Sequence, residues 1–253
     1  MVLCPRNKID WPLPWQDIQR NMKTVYFITG TSRGIGLEFT IQLLKKGDIV
    51  LAGARHPEDS PELMELKSRH TENLHLFKLD VTKENMISEI AKKIPVERID
   101  VLINNAGILD RTNSFGSLNF EKILQVLNTN TLGPLRMTPA LLPYLSRSSK
   151  PRIVNVSSIM GSISDTYGGG SNYGYKISKA ALNMVTRMLA GDLQGYGIIV
   201  VSLHPGWVRT DMGGPGALVT PEESVRGLIK VIENLKIEDS GSFIEYTGNK
   251  LNW

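Results

Sequence analysis

From residue 24 onward the chain alternates short, almost unbroken apolar runs with longer amphipathic stretches, and this alternation most narrows what it can fold into. Strand-like runs lie at residues 24–29, 48–54, 74–79, 99–103, 152–157, 198–203 and 242–246. Helical periodicity fills the gaps at 34–46, 61–69, 83–93, 119–128, 131–147, 173–193 and 221–235. A strand, a helix and a second strand in series form a right-handed crossover, which leaves the two strands parallel. Runs such as Ile198-Ile199-Val200-Val201, with no polar alternation, suit strands buried on both faces. The pattern predicts an α/β protein: one doubly wound, seven-stranded parallel sheet flanked by helices, in a single domain.

Composition limits the rest. The 253 residues suit one catalytic-size domain over 22–253, preceded by an extension at 1–21 that is rich in Pro and Trp and has no period. Met22 stands just before the first strand. The acids Asp10 and Asp17 make the extension a poor mitochondrial presequence, and it lacks a secretory pattern. The single cysteine, Cys4, excludes an intramolecular disulfide and fits a reducing compartment, so a cytoplasmic location is expected. No apolar run reaches the ~18 residues of a membrane span. The net charge of +4 is spread without basic runs, which favours a solvated surface over nucleic-acid or membrane partners. His56, His70, His75 and His204 have no metal-ligand spacing, so no metal is expected, and His204 reads as a packed strand-end residue. Met184 and Met188 read as helix packing.

Between the first strand and first helix stands Thr29-Gly30-Thr31-Ser32-Arg33-Gly34-Ile35-Gly36. Glycines there permit a tight turn and close approach of backbone to a pyrophosphate, and the helix N-terminus adds free N–H groups. That places Gly30, Ser32, Arg33, Gly34, Ile35 and Gly36 in a dinucleotide site of Rossmann type. Selection of NAD ordinarily uses an acid at the end of the second strand, to hold the ribose 2′-hydroxyl. Here that position reads Gly53-Ala54-Arg55-His56. Arg55, helped by Arg33, instead offers guanidinium to a 2′-phosphate, so the expected cofactor is NADP(H).

Tyr175 and Lys179 are four residues apart at the start of a predicted helix and so share one face. A phenol of ordinary pKa about 10 is a poor acid–base group. A neighbouring ammonium and an oxidised nicotinamide are expected to lower it. Tyr173 has Ile177, not Lys, four residues on. Ser158 ends the predicted fifth strand, where doubly wound sheets bind ligands, with Ser157 as the alternative. Gly168-Gly169-Gly170 lengthens the approach from Ser158 to Tyr175.

The glycine turn with its TGxxxGxG spacing, Asn104-Asn105-Ala106-Gly107, Ser158, Tyr175 with Lys179, and Pro205-Gly206 occur in an order that resembles the short-chain dehydrogenase/reductase family. The resemblance runs from about residue 24 to the C-terminus, and the string from His204 to Met212 is similar to the sniffer-like and C-factor-like carbonyl reductases. It implies an NADPH-dependent reduction of aldehydes or ketones in which Ser158 orients the carbonyl, Tyr175 gives the proton and Lys179 holds the ribose. It implies a fourth catalytic residue, Asn130 with Asn128 as near competitor, supporting a water linked to Lys179. Asp80 and Val81 would contact adenine, Asn105, Ala106 and Gly107 would wall the cleft, and Pro205, Gly206, Val208 and Thr210 would close over the nicotinamide. A homodimer or homotetramer through the helices after strands four and five is also implied. Loop position alone nominates Ile108, Leu109, Tyr167, Trp207 and Met212 for an apolar substrate pocket. The rival functions are a nucleotide-sensing protein without turnover and an NAD-dependent alcohol dehydrogenase.

Overall fold

The computed structural model describes residues 23–111, 114–166 and 170–253. The extension at 1–21, together with Tyr167, Gly168 and Gly169, lies outside the described residues. The strands are β1 (Val25–Thr29), β2 (Ile49–Ala54), β3 (Leu74–Lys78), β4 (Val101–Asn104), β5 (Arg152–Val156), β6 (Ile199–His204) and β7 (Phe243–Glu245). The helices are α1 (Gly34–Lys45), α2 (Pro61–Arg69), α3 (Glu84–Lys93), α4 (Phe120–Leu127), α5 (Gly133–Leu145), α6 (Tyr173–Asp192) and α7 (Pro221–Asn234).

All seven strands are parallel, in the order β3-β2-β1-β4-β5-β6-β7. The expected doubly wound sheet is therefore the observed one. The chain winds outward from β1 to β3, then returns to β4 on the other side of β1. The order reverses between β1 and β4, and a crevice opens beyond their C-terminal ends.

Alternate side chains of each strand feed two cores. Ile28, Ile103, Val154 and Val201 pack with Phe39 and Leu43 of α1 and Val225 and Leu228 of α7. Phe27, Leu102, Ile153 and Val200 pack with Ile87 and Ile90 of α3 and Met137 and Leu141 of α5 on the other face. Burial on both faces is the reason the strands read as continuous apolar runs.

Three differences from the sequence expectations matter. The fourth strand begins at Val101 and extends to Asn104, because Asn104 pairs in register with Asn155 of β5. The helices expected at 119–128 and 131–147 are joined by a π turn, Asn128–Leu132, which takes over the start of the second. Single π turns inside helices recur at functional sites. Met184 and Met188 are each 61% exposed and do not pack as expected. They share the outward face of α6 with Ile177, near the exposed Phe120 and Leu124 of α4. Among the described residues no helix is long and apolar enough to cross a membrane.

Candidate active site

The glycine turn leaves β1 and enters α1. Gly30 and Gly34 have φ of 74° and 56°, the left-handed region where an L side chain is strained. A Cβ on Gly36 would lie 2.1 Å from the Gly30 carbonyl oxygen, and one on Gly30 would lie 2.8 Å from Ala106 Cα. The turn is thus pressed against the segment that follows β4. Asn105 Nδ2 donates to the carbonyls of Thr29 (2.9 Å) and Gly30 (3.0 Å). In return Thr29 Oγ1 accepts from the amides of Asn105 (3.0 Å) and Ala106 (2.9 Å). Gly30 N also donates to Gly53 O of β2 at 2.7 Å. The first turn of α1 carries no acid, and its N-cap, Arg33, makes no side-chain capping bond. A rigid glycine cradle facing a helix N-terminus with free amides fits a pyrophosphate.

At the end of β2, Ala54, Arg55 and His56 line the cleft with no carboxylate among them. Arg33 lies on the other side of the turn, where Nη1 pairs with Asp211 Oδ2 at 3.2 Å. Both partners are about three-quarters exposed (74% and 77%), so the pair holds the guanidinium only weakly. Burial raises the Asp80 carboxyl, but the Thr82 hydroxyl and amide, then Arg55 and Lys83, outweigh it and leave it below the ordinary value. Val81 packs against Gly133, where a Cβ would come within 2.9 Å of Val81 Cγ2.

The reactive side chains converge from β5 and α6. Ser158 follows β5, accepts the Met160 amide at 3.2 Å, and lies close enough to the Tyr175 phenol to ease its ionisation. Ser157 is committed elsewhere: its hydroxyl donates to Asn183 Oδ1 of α6 at 2.6 Å. Of the two serines, only Ser158 meets Tyr175. Lys179 Nζ lies 5.6 Å from the centroid of the Tyr175 ring and donates to Val156 O at 2.8 Å. Gly161 permits this approach, since a Cβ there would lie 2.6 Å from the Lys179 carbonyl carbon.

Asn130 sits in the π turn, buried, and acts as a clamp. Its Oδ1 accepts the Ile108 amide (2.9 Å), and Nδ2 donates to Ile108 O (2.9 Å) and Ser178 Oγ (3.0 Å). Ser178 Oγ donates in turn to Tyr175 O at 2.7 Å, and Thr131 Oγ1 donates to Ser178 O at 2.9 Å. Asn128 takes no part in this clamp, and its buried Oδ1 has no partner among the described residues. Asn130 and Lys179 meet only around Gly107, whose Cβ would lie 3.4 Å from Asn130 Oδ1 and 3.8 Å from Lys179 Nζ. Thr29, Thr131, Ser178 and Asn183 were missed in sequence. For Ser178 and Thr29 a signal existed: one immediately precedes Lys179, and the other immediately precedes the first glycine of the turn.

Burial pushes the Tyr175 phenol up to about 12, with the Ser158 bond pulling it down. Burial also pushes the Lys179 ammonium down to about 8. The expected lowering of the phenol is therefore not supplied by the chain alone. Desolvation outweighs the help from Ser158, and the neighbouring amine is itself made reluctant to carry charge. This has a consequence for stability. With a folded-state value near 8 against an ordinary 10.5, burial of charged Lys179 destabilises the chain fully below about pH 8, fading as pH approaches 10.5. Lys179→Met is expected to raise the melting temperature at pH 7 by roughly 4–10 °C, and the gain should shrink by pH 10. Calorimetry across that range checks it; a gain that grows with pH would contradict this origin.

The loop after β6 completes the cleft. Gly206 has φ of 81° and abuts Tyr246, and Ser224 Oγ donates to Pro205 O at 2.6 Å. Thr210 Oγ1 accepts the Gly213 amide at 3.1 Å, and Thr210 Cγ2 reaches to 3.3 Å from where a Gly34 Cβ would stand. Opposite, Arg111 Nη2 donates to Met212 O at 2.6 Å and ties the two loops together. The cleft holds about 1310 Å³. Its lining includes every candidate site residue except Gly36 and Asn130, which stand behind it. Ile108, Leu109, Trp207 and Met212 line it as expected, while Tyr167 lies outside the described residues.

A glycine cradle at the switch point of a doubly wound sheet, facing a Ser–Tyr–Lys set, defines a dinucleotide-binding oxidoreductase. Residues 24–217 match the short chain dehydrogenase family, and the chain belongs to it. C-signal of Myxococcus xanthus is 44% identical over 155 residues, covering 61% of this chain and 93% of that protein. The solved structure of an NADPH-bound carbonyl reductase from chicken fatty liver is 38% identical with a TM-score of 0.86, covering 92% of this chain and 100% of the other. The carbonyl reductase Sniffer of D. melanogaster is 32% identical with a TM-score of 0.87 over the same shares.

Proposed function

We propose that the chain is an NADPH-dependent carbonyl reductase acting on aldehydes or ketones. The observation that carries this is the convergence of Ser158, Tyr175 and Lys179 on one cleft, with Lys179 Nζ 5.6 Å from the Tyr175 ring. Ser158 and Tyr175 present two hydroxyls to one carbonyl oxygen, and Tyr175 delivers the proton. Its raised pKa keeps it in the protonated form that a donor needs, and the charge of Lys179 and of the oxidised cofactor would help it release the proton. Lys179 holds the ribose hydroxyls, and its ammonium and a phenolate beside it favour each other's charged forms. Asn130 holds the π turn and the loop at Ile108 in place, so that a water can reach Lys179 through the gap at Gly107. Gly30, Ser32, Gly34, Ile35 and Gly36 hold the pyrophosphate, Asp80 and Val81 the adenine, and Arg55 with Arg33 the 2′-phosphate. Asn105, Ala106 and Gly107 wall the cleft, and Pro205, Gly206, Val208 and Thr210 close over the nicotinamide end. NADPH, when bound, supplies the hydride.

NADPH in the chicken reductase supports the choice of cofactor, as does the lack of an acid among Ala54, Arg55 and His56 at the end of β2. The exposed apolar faces of α4 and α6, with Leu124, Met184 and Met188, support self-association into two or four copies. The single cysteine supports the cytoplasm as its location. Incubation with NADPH and a panel of aldehydes, ketones and quinones tests the proposal. Absorbance of NADPH should fall with at least one apolar carbonyl, and no consumption across the panel would reject it.

A further inference from the structure

His204 ends β6, is 9% exposed, lines the cleft, and has no part in the proton transfer described above. Its surroundings give it a task. The β5–β6 ladder is parallel, and Ser157 N donates to Leu203 O at 2.8 Å. Such a ladder steps by two residues, so Ile159 N would next turn to Pro205 O. That carbonyl accepts from Ser224 Oγ at 2.6 Å and not from Ile159. The Ile159 amide donates instead to His204 Nδ1 at 3.4 Å. The peptide so held is the one immediately after Ser158, whose hydroxyl meets Tyr175.

We propose that His204 is a positioning residue: its unprotonated Nδ1 stands in for the missing ladder carbonyl and fixes the peptide that aims Ser158 at Tyr175. This rests on the carbonyl reductase function proposed above. An imidazole can accept at Nδ1 only while that nitrogen carries no proton. Burial holds His204 below the ordinary histidine value, against Glu245, its register partner on β7, which works to raise it. Tyr246 follows Glu245, while Tyr175 and Lys179 of α6 and Glu222 of α7 line the same cleft. As pH falls through the lowered His204 value, Nδ1 takes a proton, the Ile159 amide loses its acceptor and Ser158 loses its aim.

The test compares wild type, His204→Asn and His204→Leu with NADPH and a neutral aldehyde across pH. Asn Oδ1 can stand near the place of Nδ1 and does not titrate; Leu offers no acceptor. At pH 7.5, His204→Leu is expected to lose about tenfold in kcat/KM, the scale of one hydrogen bond, while His204→Asn stays within about threefold. The acid limb of wild type, lying below the ordinary histidine range because burial holds His204 down, should be absent in His204→Asn. Equal losses in both variants, or the same acid limb in His204→Asn, would overturn the assignment. Amide exchange at Ile159 gives a readout that needs no turnover: about tenfold faster in His204→Leu and unchanged in His204→Asn. If wild type consumes no NADPH, the reductase function fails while exchange still decides the contact. If His204→Leu does not fold, the pH profile and Ile159 exchange of His204→Asn decide alone.

Discussion

Tyr175→Phe is expected to lower kcat/KM for carbonyl reduction by roughly 10²–10⁴-fold while leaving the NADPH dissociation constant within about threefold of wild type. Phenylalanine keeps the ring in its buried place and removes only the hydroxyl that neighbours Ser158. Ser158 then remains to polarise the carbonyl, but it has no group from which to pass a proton. A loss of that size corresponds to roughly 3–5 kcal/mol of transition-state stabilisation. Steady-state kinetics with a fluorescence titration of NADPH separates the outcomes. Turnover that survives would mean another proton donor. Unchanged NADPH binding in a wild type that has no turnover to lose would favour a nucleotide-sensing protein.

The second large effect is on cofactor choice. Arg55→Ala is expected to weaken NADPH binding by about 10–100-fold and leave NADH nearly unchanged, because one charge-assisted guanidinium–phosphate contact is worth about 1.5–3 kcal/mol. Arg33→Ala should do less, since Arg33 lies exposed and shares its charge with Asp211 at 3.2 Å. Dissociation constants for both cofactors in wild type and the two variants check this. Tighter NADH binding by wild type would overturn the choice and favour an NAD-dependent alcohol dehydrogenase.

Much of the fold was legible in the chain because parallel strands buried on two faces leave apolar runs that do not depend on their neighbours' identity. The glycine turn was legible too: a Cβ at Gly36 would strike the Gly30 carbonyl at 2.1 Å, so the residue type records the geometry. The serine was less so. Ser157 and Ser158 are adjacent and chemically alike, and only the packing of α6 against the end of β5 sets one beside Asn183 and the other beside Tyr175. Met184 and Met188 read as helix packing, yet each is 61% exposed, because apolar type marks a face of a helix without saying what lies opposite it.

By itself, then, the sequence determined the alternation of elements, the parallel sheet, the turn built for a pyrophosphate, and Tyr175 one helical turn before Lys179. Each follows from local sterics or from a period along one element. The tertiary structure alone decided which serine meets Tyr175, how the π turn places Asn130 between Ile108 and Ser178, and how burial sets the phenol near 12 and the ammonium near 8. Those are properties of distance and desolvation between segments far apart in the chain, and they exist only once the sheet has brought the segments together.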